Sequence, residues 1–311
     1  MTEEYAVEIN GLTKMFGQQT AVDDVSFNIK RGEVFGLLGP NGAGKTTTLR
    51  MMTTLLQPTS GDIKIFGHDV KTESQTVRSL FGLTGQYASV DEDISARENL
   101  MIFSRLNGLS RQEAKARTAE LLEEFSLVNS ADKAISNFSG GMRRRLDLAV
   151  SLITRPALIF LDEPTTGLDP RTRTQMWDTI RQLVAAGSTI VLTTQYLEEA
   201  DELADRIAVI DHGKLVSIGT PAELKAQVGG AKLRVEVADD AQAEQARGVM
   251  AATLPATPQV TRNIVEVAVD DINTVAGVLQ AITAAGVTMT NMSVEQPSMD
   301  DVFFALTVGK N

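Results

Sequence analysis

At 311 residues, with 43% hydrophobic and 22% charged residues, the chain has a globular composition and length for one large domain or two ordinary ones. A formal net charge of −11 argues against non-specific nucleic-acid binding, which needs a basic footprint, and the lack of cysteine excludes disulfides and thiolate metal sites and fits a cytosolic setting. No apolar run reaches the ~18 residues of a membrane span, and Met1-Thr2-Glu3-Glu4-Tyr5 lacks the basic-then-apolar pattern of a signal peptide, so any work at a membrane is expected to proceed by docking onto another protein.

In chain order, residues 25–29 alternate as a strand, and 33–38 form a short apolar run ending in a glycine loop. The pattern predicts a helix over 46–56, stopped by Gln57-Pro58. From 95 to about 128 the pattern is helical, with Ser110 as an N-cap and Glu113 as its capping-box partner. Apolar runs at 158–161, 189–192 and 207–210, separated by helical pattern, predict parallel strands. Asp211-His212-Gly213-Lys214 reads as a hairpin turn, and Thr220-Pro221 opens a last short helix. After Gly229-Gly230, strands at 232–237, 264–269 and 287–294 alternate with helices at 241–254, 272–285 and 299–306. A short strand near Val260 would make this a ferredoxin-like appendage. The fold class is therefore α/β.

Chemistry is concentrated in three places. Gly39-Pro40-Asn41-Gly42-Ala43-Gly44-Lys45-Thr46 lies between a predicted strand and a predicted helix. Glycines there let successive N–H groups close on phosphate oxygens; Lys45 adds charge, and the Thr46 hydroxyl is placed to ligate Mg²⁺. Asp162 and Glu163 end an apolar strand, at the sheet edge where parallel folds bind ligands. Asp162 is expected to hold Mg²⁺ through water, and Glu163 to polarise an attacking water. Third, Ser139-Gly140-Gly141 before Met142 reads as a serine-capped, uncrowded helix start, which is also an anion site. The arginines that follow, Arg143-Arg144-Arg145, read as a solvated face without a catalytic role.

These motifs, in this order, resemble the ATP-binding subunit of an ABC transporter over about residues 4–228. Phe16, the phosphate loop with Thr47, Gln86 in Leu83-Thr84-Gly85-Gln86, Phe138-Ser139-Gly140-Gly141, Asp162-Glu163-Pro164 and Thr166-Gly167-Leu168-Asp169 carry the likeness. Residues 139–145, the stretch Thr193-Thr194-Gln195-Tyr196-Leu197-Glu198-Glu199-Ala200-Asp201 and the tail Pro297-Ser298-Met299-Asp300-Asp301-Val302-Phe303 narrow it to the daunorubicin/doxorubicin-resistance type. The resemblance implies an ABC-type P-loop ATPase domain over 1–228, with a mixed sheet core and a helical subdomain at about 87–150. An accessory α/β domain would cover 231–311.

It also implies roles. Phe16 would stack on adenine, and Gln86 would touch Mg²⁺ and the attacking water while reporting to the membrane partner. Ser139 and Gly141 would close on the γ-phosphate of ATP held by a second copy, and Asp169 would bridge the two sites. The expected protein is a homodimeric, peripheral ATPase on the cytoplasmic face of the membrane. It would drive a separately encoded permease, as an exporter of drugs or other hydrophobic compounds, without binding nucleic acid. Two departures stand out: Met142 replaces the usual glutamine, and Gln195 stands where the family has histidine. Gln195 can donate an amide hydrogen bond to a γ-phosphate but cannot become cationic. The competing classes are a soluble ABC ATPase acting on ribosomes or DNA, and a nucleotide-binding regulator that does not hydrolyse. A GTPase is disfavoured because no Asn-Lys-x-Asp segment is present.

Overall fold

The structure is a computed structural model and describes residues 4–85, 90–269 and 271–307. It divides into two compact units, Met1–Thr220 and Pro221–Asn311.

In the first unit, strands β1 (Tyr5–Phe16) and β2 (Gln19–Lys30) pair antiparallel. Strand β3 (Val34–Leu38) leads through the glycine loop into helix α1 (Lys45–Met52). There follow β4 (Ser60–Ile65), β5 (His68–Asp69), α2 (Ser74–Leu80) and β6 (Phe81–Thr84). Helices α3 (Ala96–Leu106), α4 (Arg111–Glu124) and α5 (Gly140–Ser151) form the helical part. The chain then alternates: β7 (Leu158–Asp162), α6 (Pro170–Ala185), β8 (Thr189–Thr194), α7 (Leu197–Leu203), β9 (Arg206–Asp211) and β10 (Lys214–Gly219).

Strands β9, β3, β8, β7 and β6 are parallel neighbours, and β10 closes one edge antiparallel, so the main sheet is mixed. β3, β7 and β8 are buried along their whole length, as expected of parallel strands covered on both faces. The apparently continuous apolar run of β7 still obeys the twofold alternation of a strand. Leu158 and Phe160 pack with Ile9, Ile29 and Met51 on the side of the antiparallel β2-β1-β4-β5 sheet, whereas Ile159 and Leu161 pack with Leu100, Leu146 and Trp177 of the helices.

Helix α1 ends at Met52, earlier than the sequence pattern suggested. Thr53 turns its hydroxyl back to Leu49 O (2.9 Å), and Thr54 takes a left-handed φ of 60°. Leu55 and Leu56 N–H groups return to Arg50 O, so the apolar residues after Met52 close the turn without extending the helix. The long helical stretch after Ser95 is broken at Gly108 (φ 88°), and each half starts with a complete capping box, Ser95–Glu98 and Ser110–Glu113.

The second unit opens with α8 (Pro221–Ala226) and continues β11 (Ala231–Val237), α9 (Asp240–Thr253), β12 (Gln259–Thr261), β13 (Ile264–Val269), α10 (Thr274–Ala284), β14 (Met289–Glu295) and α11 (Met299–Thr307). Its sheet runs β12-β13-β11-β14 with every pair antiparallel, and the short strand at Val260 is present. This is the ferredoxin-like β-α-β-β-α-β order with one further helix before it, α8, and one after it, α11. Leu233, Val235, Met250, Val267 and Ile282 make it a core of its own.

Phe160 is fully buried and meets Phe81 edge-on at 5.2 Å. Phe160→Ala is expected to destabilise the first unit by about 3–5 kcal/mol. Trp177, the chain's single tryptophan, lies in that unit, so a urea titration of its emission measures the loss; an unshifted midpoint would contradict this packing.

Candidate functional site

The glycine loop leaves the carboxyl end of β3, between β9 and β8 in the sheet. Two of its glycines are demanded by close backbone approach. A Cβ on Gly39 would sit 2.1 Å from Ile210 O, and one on Gly44 (φ 107°) 2.6 Å from Ala21 O. Gly42, at φ 83°, faces open space and provides conformation alone. Gly44 is the N-cap of α1, which therefore points its uncapped N–H groups toward the loop. Lys45 is 4% exposed; its ammonium donates to Gly39 O (2.8 Å) and Pro40 O (3.1 Å). Burial pushes the Lys45 pKa down, and the charges of Glu163 and Asp162 partly offset this. Thr47, Asn41 and Gly42 lie on the exposed or half-exposed side of the loop.

Asp162 ends β7 beside this loop. Its Oδ1 accepts from Thr193 Oγ1 (2.6 Å) and from Thr46 Oγ1 (3.2 Å), joining three elements at one oxygen. Glu163 follows with a left-handed φ of 50°. Its N–H points to both the carbonyl and the hydroxyl oxygen of Thr193, each at 3.1 Å, and its Oε2 accepts from Thr166 Oγ1 (3.1 Å). Such a turn is uncommon for a residue with a side chain, and it swings the carboxylate off the strand axis.

This donor set fits a magnesium nucleotide. Among the described residues no group of three or more His, Asp or Glu side chains could hold a metal unaided. One hydroxyl and one carboxylate converge at the loop, which suits a hard cation that takes its other ligands from phosphate and water.

Ser139 caps α5 by accepting from Met142 N–H (3.2 Å), and it is exposed. The two glycines after it differ. Among the described residues a Cβ on Gly140 would meet nothing within 4 Å, whereas one on Gly141 would strike Thr172 Cγ2 at 2.3 Å. Thr172 in turn donates to Asp169, the N-cap of α6, through its N–H (3.1 Å) and its hydroxyl (2.6 Å). The starts of α5 and α6 thus lie together, and the hydrogen bonds to Thr172 hold the Asp169 carboxyl below the usual range. Phe16 ends β1 with its ring 51% exposed and Lys14 Nζ 5.2 Å from the ring centre, so it is not a core aromatic. Gln195 is half-buried directly after β8. Gln86 lies outside the described residues.

The structure corrects the reading of the three arginines as a solvated face. Arg143 pairs with Glu92 (2.7 Å), and Arg145 donates to Phe125 O (3.1 Å). Arg144, 12% exposed, donates to the carbonyls of Asp162, Glu163, Pro164 and Gly85. Its helical spacing gave a signal, since Gly141, Arg144 and Leu148 share one face. Glu199 was also missed. Fully buried on α7, it accepts through Oε1 from Thr165 (2.7 Å) and Trp177 (3.3 Å), linking the segment after Gln195 to the segment before Asp169. Burial pushes its carboxyl pKa up.

The ABC transporter family profile matches residues 22–166, and a profile for the C-terminal domain of DrrA1-3-like ATP-binding proteins matches 219–307. The chain is 47% identical over 304 residues to a daunorubicin/doxorubicin resistance ATP-binding protein of Streptomyces peucetius, covering 97% of this chain and 92% of that one. It is 43% identical over 313 residues to a doxorubicin resistance ATP-binding protein of Mycobacterium tuberculosis, covering 98% and 94%. Among solved structures, it resembles a dimeric ATP-binding cassette in a post-hydrolysis state bound to ADP and Pi, with TM-score 0.62 and 26% identity, covering 69% of this chain and 98% of that one.

Two outcomes follow from the site's packing. Gly141→Ala should cost about 1–3 kcal/mol by overpacking. Adding Thr172→Ser, which removes the opposing methyl, should recover most of it; a urea titration that finds no recovery would refute this contact. For Glu199, the raised folded-state pKa means that the native chain binds more protons than the unfolded chain between the ordinary glutamate pKa and the raised one. Its contribution to stability is therefore present at low pH and lost as pH rises through that window. The unfolding midpoint of Glu199→Gln should gain on wild type as pH rises from about 4 toward neutrality, and a difference independent of pH would contradict the assignment.

Proposed function

The chain belongs to the ABC transporter ATP-binding family, of the daunorubicin/doxorubicin-resistance type, and from that premise we propose that it hydrolyses Mg²⁺-ATP to drive a separate membrane permease that exports drugs or other hydrophobic compounds. The observation that carries this reading is the convergence of Thr46, Asp162 and Thr193 beside the buried Lys45, with Glu163 turned out of the strand next to them.

On this reading Gly39–Thr46 N–H groups and Lys45 receive the phosphates, and Thr47 lies at the same mouth. Thr46 and Asp162 would hold Mg²⁺, together with Gln86. Bound Mg²⁺ would neutralise charge developing on the β- and γ-phosphates. Glu163 accepts the proton of the attacking water while its backbone holds the carboxylate in place, and Gln195 orients the γ-phosphate through its amide. Phe16, exposed and beside Lys14, stacks on the base. Two copies are required, because Ser139, Gly140 and Gly141 form a second anion site, at which the ATP of the other copy binds. Asp169, beside that start, faces the same junction. Closure of the pair pulls on the permease, and hydrolysis releases it. The chain works peripherally at the cytoplasmic face; none of the described helices is long and apolar enough to cross a membrane.

Glu163→Gln should lower kcat by about 100-fold or more while leaving ATP-driven dimerisation intact. Steady-state phosphate release with co-expressed permease measures the first, and light scattering measures the second. Undiminished turnover in the variant would remove Glu163 from this role, and a wild-type chain that binds ATP without turnover would favour the regulatory reading that Gln195 invites.

A further inference from the structure

Parallel pairing between β6 and β7 ends at the Thr84–Leu161 rung. Beyond it the carbonyls of Gly85, Asp162, Glu163 and Pro164 have left the ladder between these two strands, and all four are met by one side chain. Arg144 Nη1 donates to Gly85 O (2.6 Å), Nη2 to Asp162 O (2.9 Å) and Glu163 O (3.1 Å), and Nε to Pro164 O (3.0 Å). Four of the five guanidinium N–H groups serve in this way, a fan that only a planar, forked donor can span.

Two consequences follow. Glu163 holds a left-handed backbone that costs of order 1 kcal/mol and must be fixed by its surroundings. Thr193 fixes its N–H and Arg144 its C=O, so the peptide units on both sides of the carboxylate are clamped. Arg144 also stands on the helix that Ser139 caps, about a turn and a half further on. A rigid helix therefore joins the exposed serine to the backbone of Asp162 and Glu163 and to the peptide that precedes Gln86.

We propose that Arg144 is a positioning residue for hydrolysis: it fixes the backbone of Glu163 and ties it to the position of α5, so that an anion engaged at Ser139 on one copy acts on the same copy's own water-activating carboxylate. The inference rests on Glu163 having the role given above. Arg144 touches neither nucleotide nor water in this scheme, so its loss should appear in kcat and not in ATP affinity.

The test compares Arg144→Lys with wild type and with Glu163→Gln. Lysine keeps the charge but cannot reach four carbonyls in one plane. Arg144→Lys should lose roughly 10- to 100-fold in kcat, the scale of a small misplacement of a catalytic group, with KM and the dissociation constant of a fluorescent ATP analogue within about twofold of wild type. In the double variant, the Glu163→Gln turnover should fall no further, because Arg144 acts through Glu163. Guanidinium ion added to Arg144→Ala should restore part of kcat; if that variant does not fold, Arg144→Lys carries the test alone. A wild-type kcat in Arg144→Lys overturns the inference, as does a loss confined to ATP affinity or an additive loss in the double variant. Normal turnover in Glu163→Gln alone would instead overturn the role of Glu163, so the two failures are separable.

Discussion

The site depends on how β7 ends. Up to Leu161 the strand is paired on both sides; at Asp162 it still faces Thr193 of β8, but β6 has already stopped. The chain must leave the sheet with unpaired carbonyls on one side and a carboxylate pointing toward the phosphate loop. Both needs are met by side chains from elsewhere. Thr193 and Thr46 satisfy Asp162 Oδ1, and Arg144 takes the carbonyls. Buried backbone acceptors without partners would each cost a kcal/mol or more, so this arrangement also secures the strand end. A buried aspartate and a half-buried glutamate can follow one another at the end of a fully buried strand because the backbone beneath them is satisfied.

The glycines sort by the same physical accounting. Gly39 and Gly44 are fixed by approaching backbone, and Gly141 by the Thr172 methyl; at each, any other residue meets an atom that cannot easily move. Among the described residues Gly140 and Gly42 face open space, so none of these residues forbids a side chain at Gly140, and at Gly42 only its positive φ does. The open positions are those an incoming anion could approach. The glycine motifs thus have two physical origins, internal packing and an uncrowded N–H surface, and a single residue type serves both.

Local chemistry was legible in the sequence, and long-range chemistry was not. The capping box at Ser110, the hairpin turn at Gly213 and the strand before Asp162 rest on neighbours within a few residues, and they are written in the local pattern. The βαββαβ order of the second unit was equally readable, down to the three-residue strand at Val260. The partners of Arg144 lie up to 59 residues away, and those of Glu199 up to 34. Their types carry the opposite prior, because arginine and glutamate on helices are mostly solvated. The early end of α1 escaped for a related reason. Leu55 and Leu56 continue the apolar pattern, but threonine hydroxyls compete for helix carbonyls, and the left-handed Thr54 settles the competition.

The substitution at Gln195 places a definite limit on the chemistry. The chain has two histidines: His68 pairs with Glu73, and His212 sits exposed on the hairpin turn. Neither belongs to the cluster around Asp162, so no imidazole is available there to accept a proton or to add a positive charge near neutrality. Lys45 is committed to the loop, and Arg144 is aimed at backbone. On the proposed reading, proton acceptance then falls to a carboxylate. Asp162 is occupied by two hydroxyl donors, whereas Glu163 receives one, from Thr166, at the edge of the site. On that reading, without a histidine beside it, the rate would depend chiefly on how well Glu163 is placed, and that placement is a property of its backbone. The clamp formed by Thr193 and Arg144 is therefore the feature through which a chain lacking the family's histidine would retain control over hydrolysis.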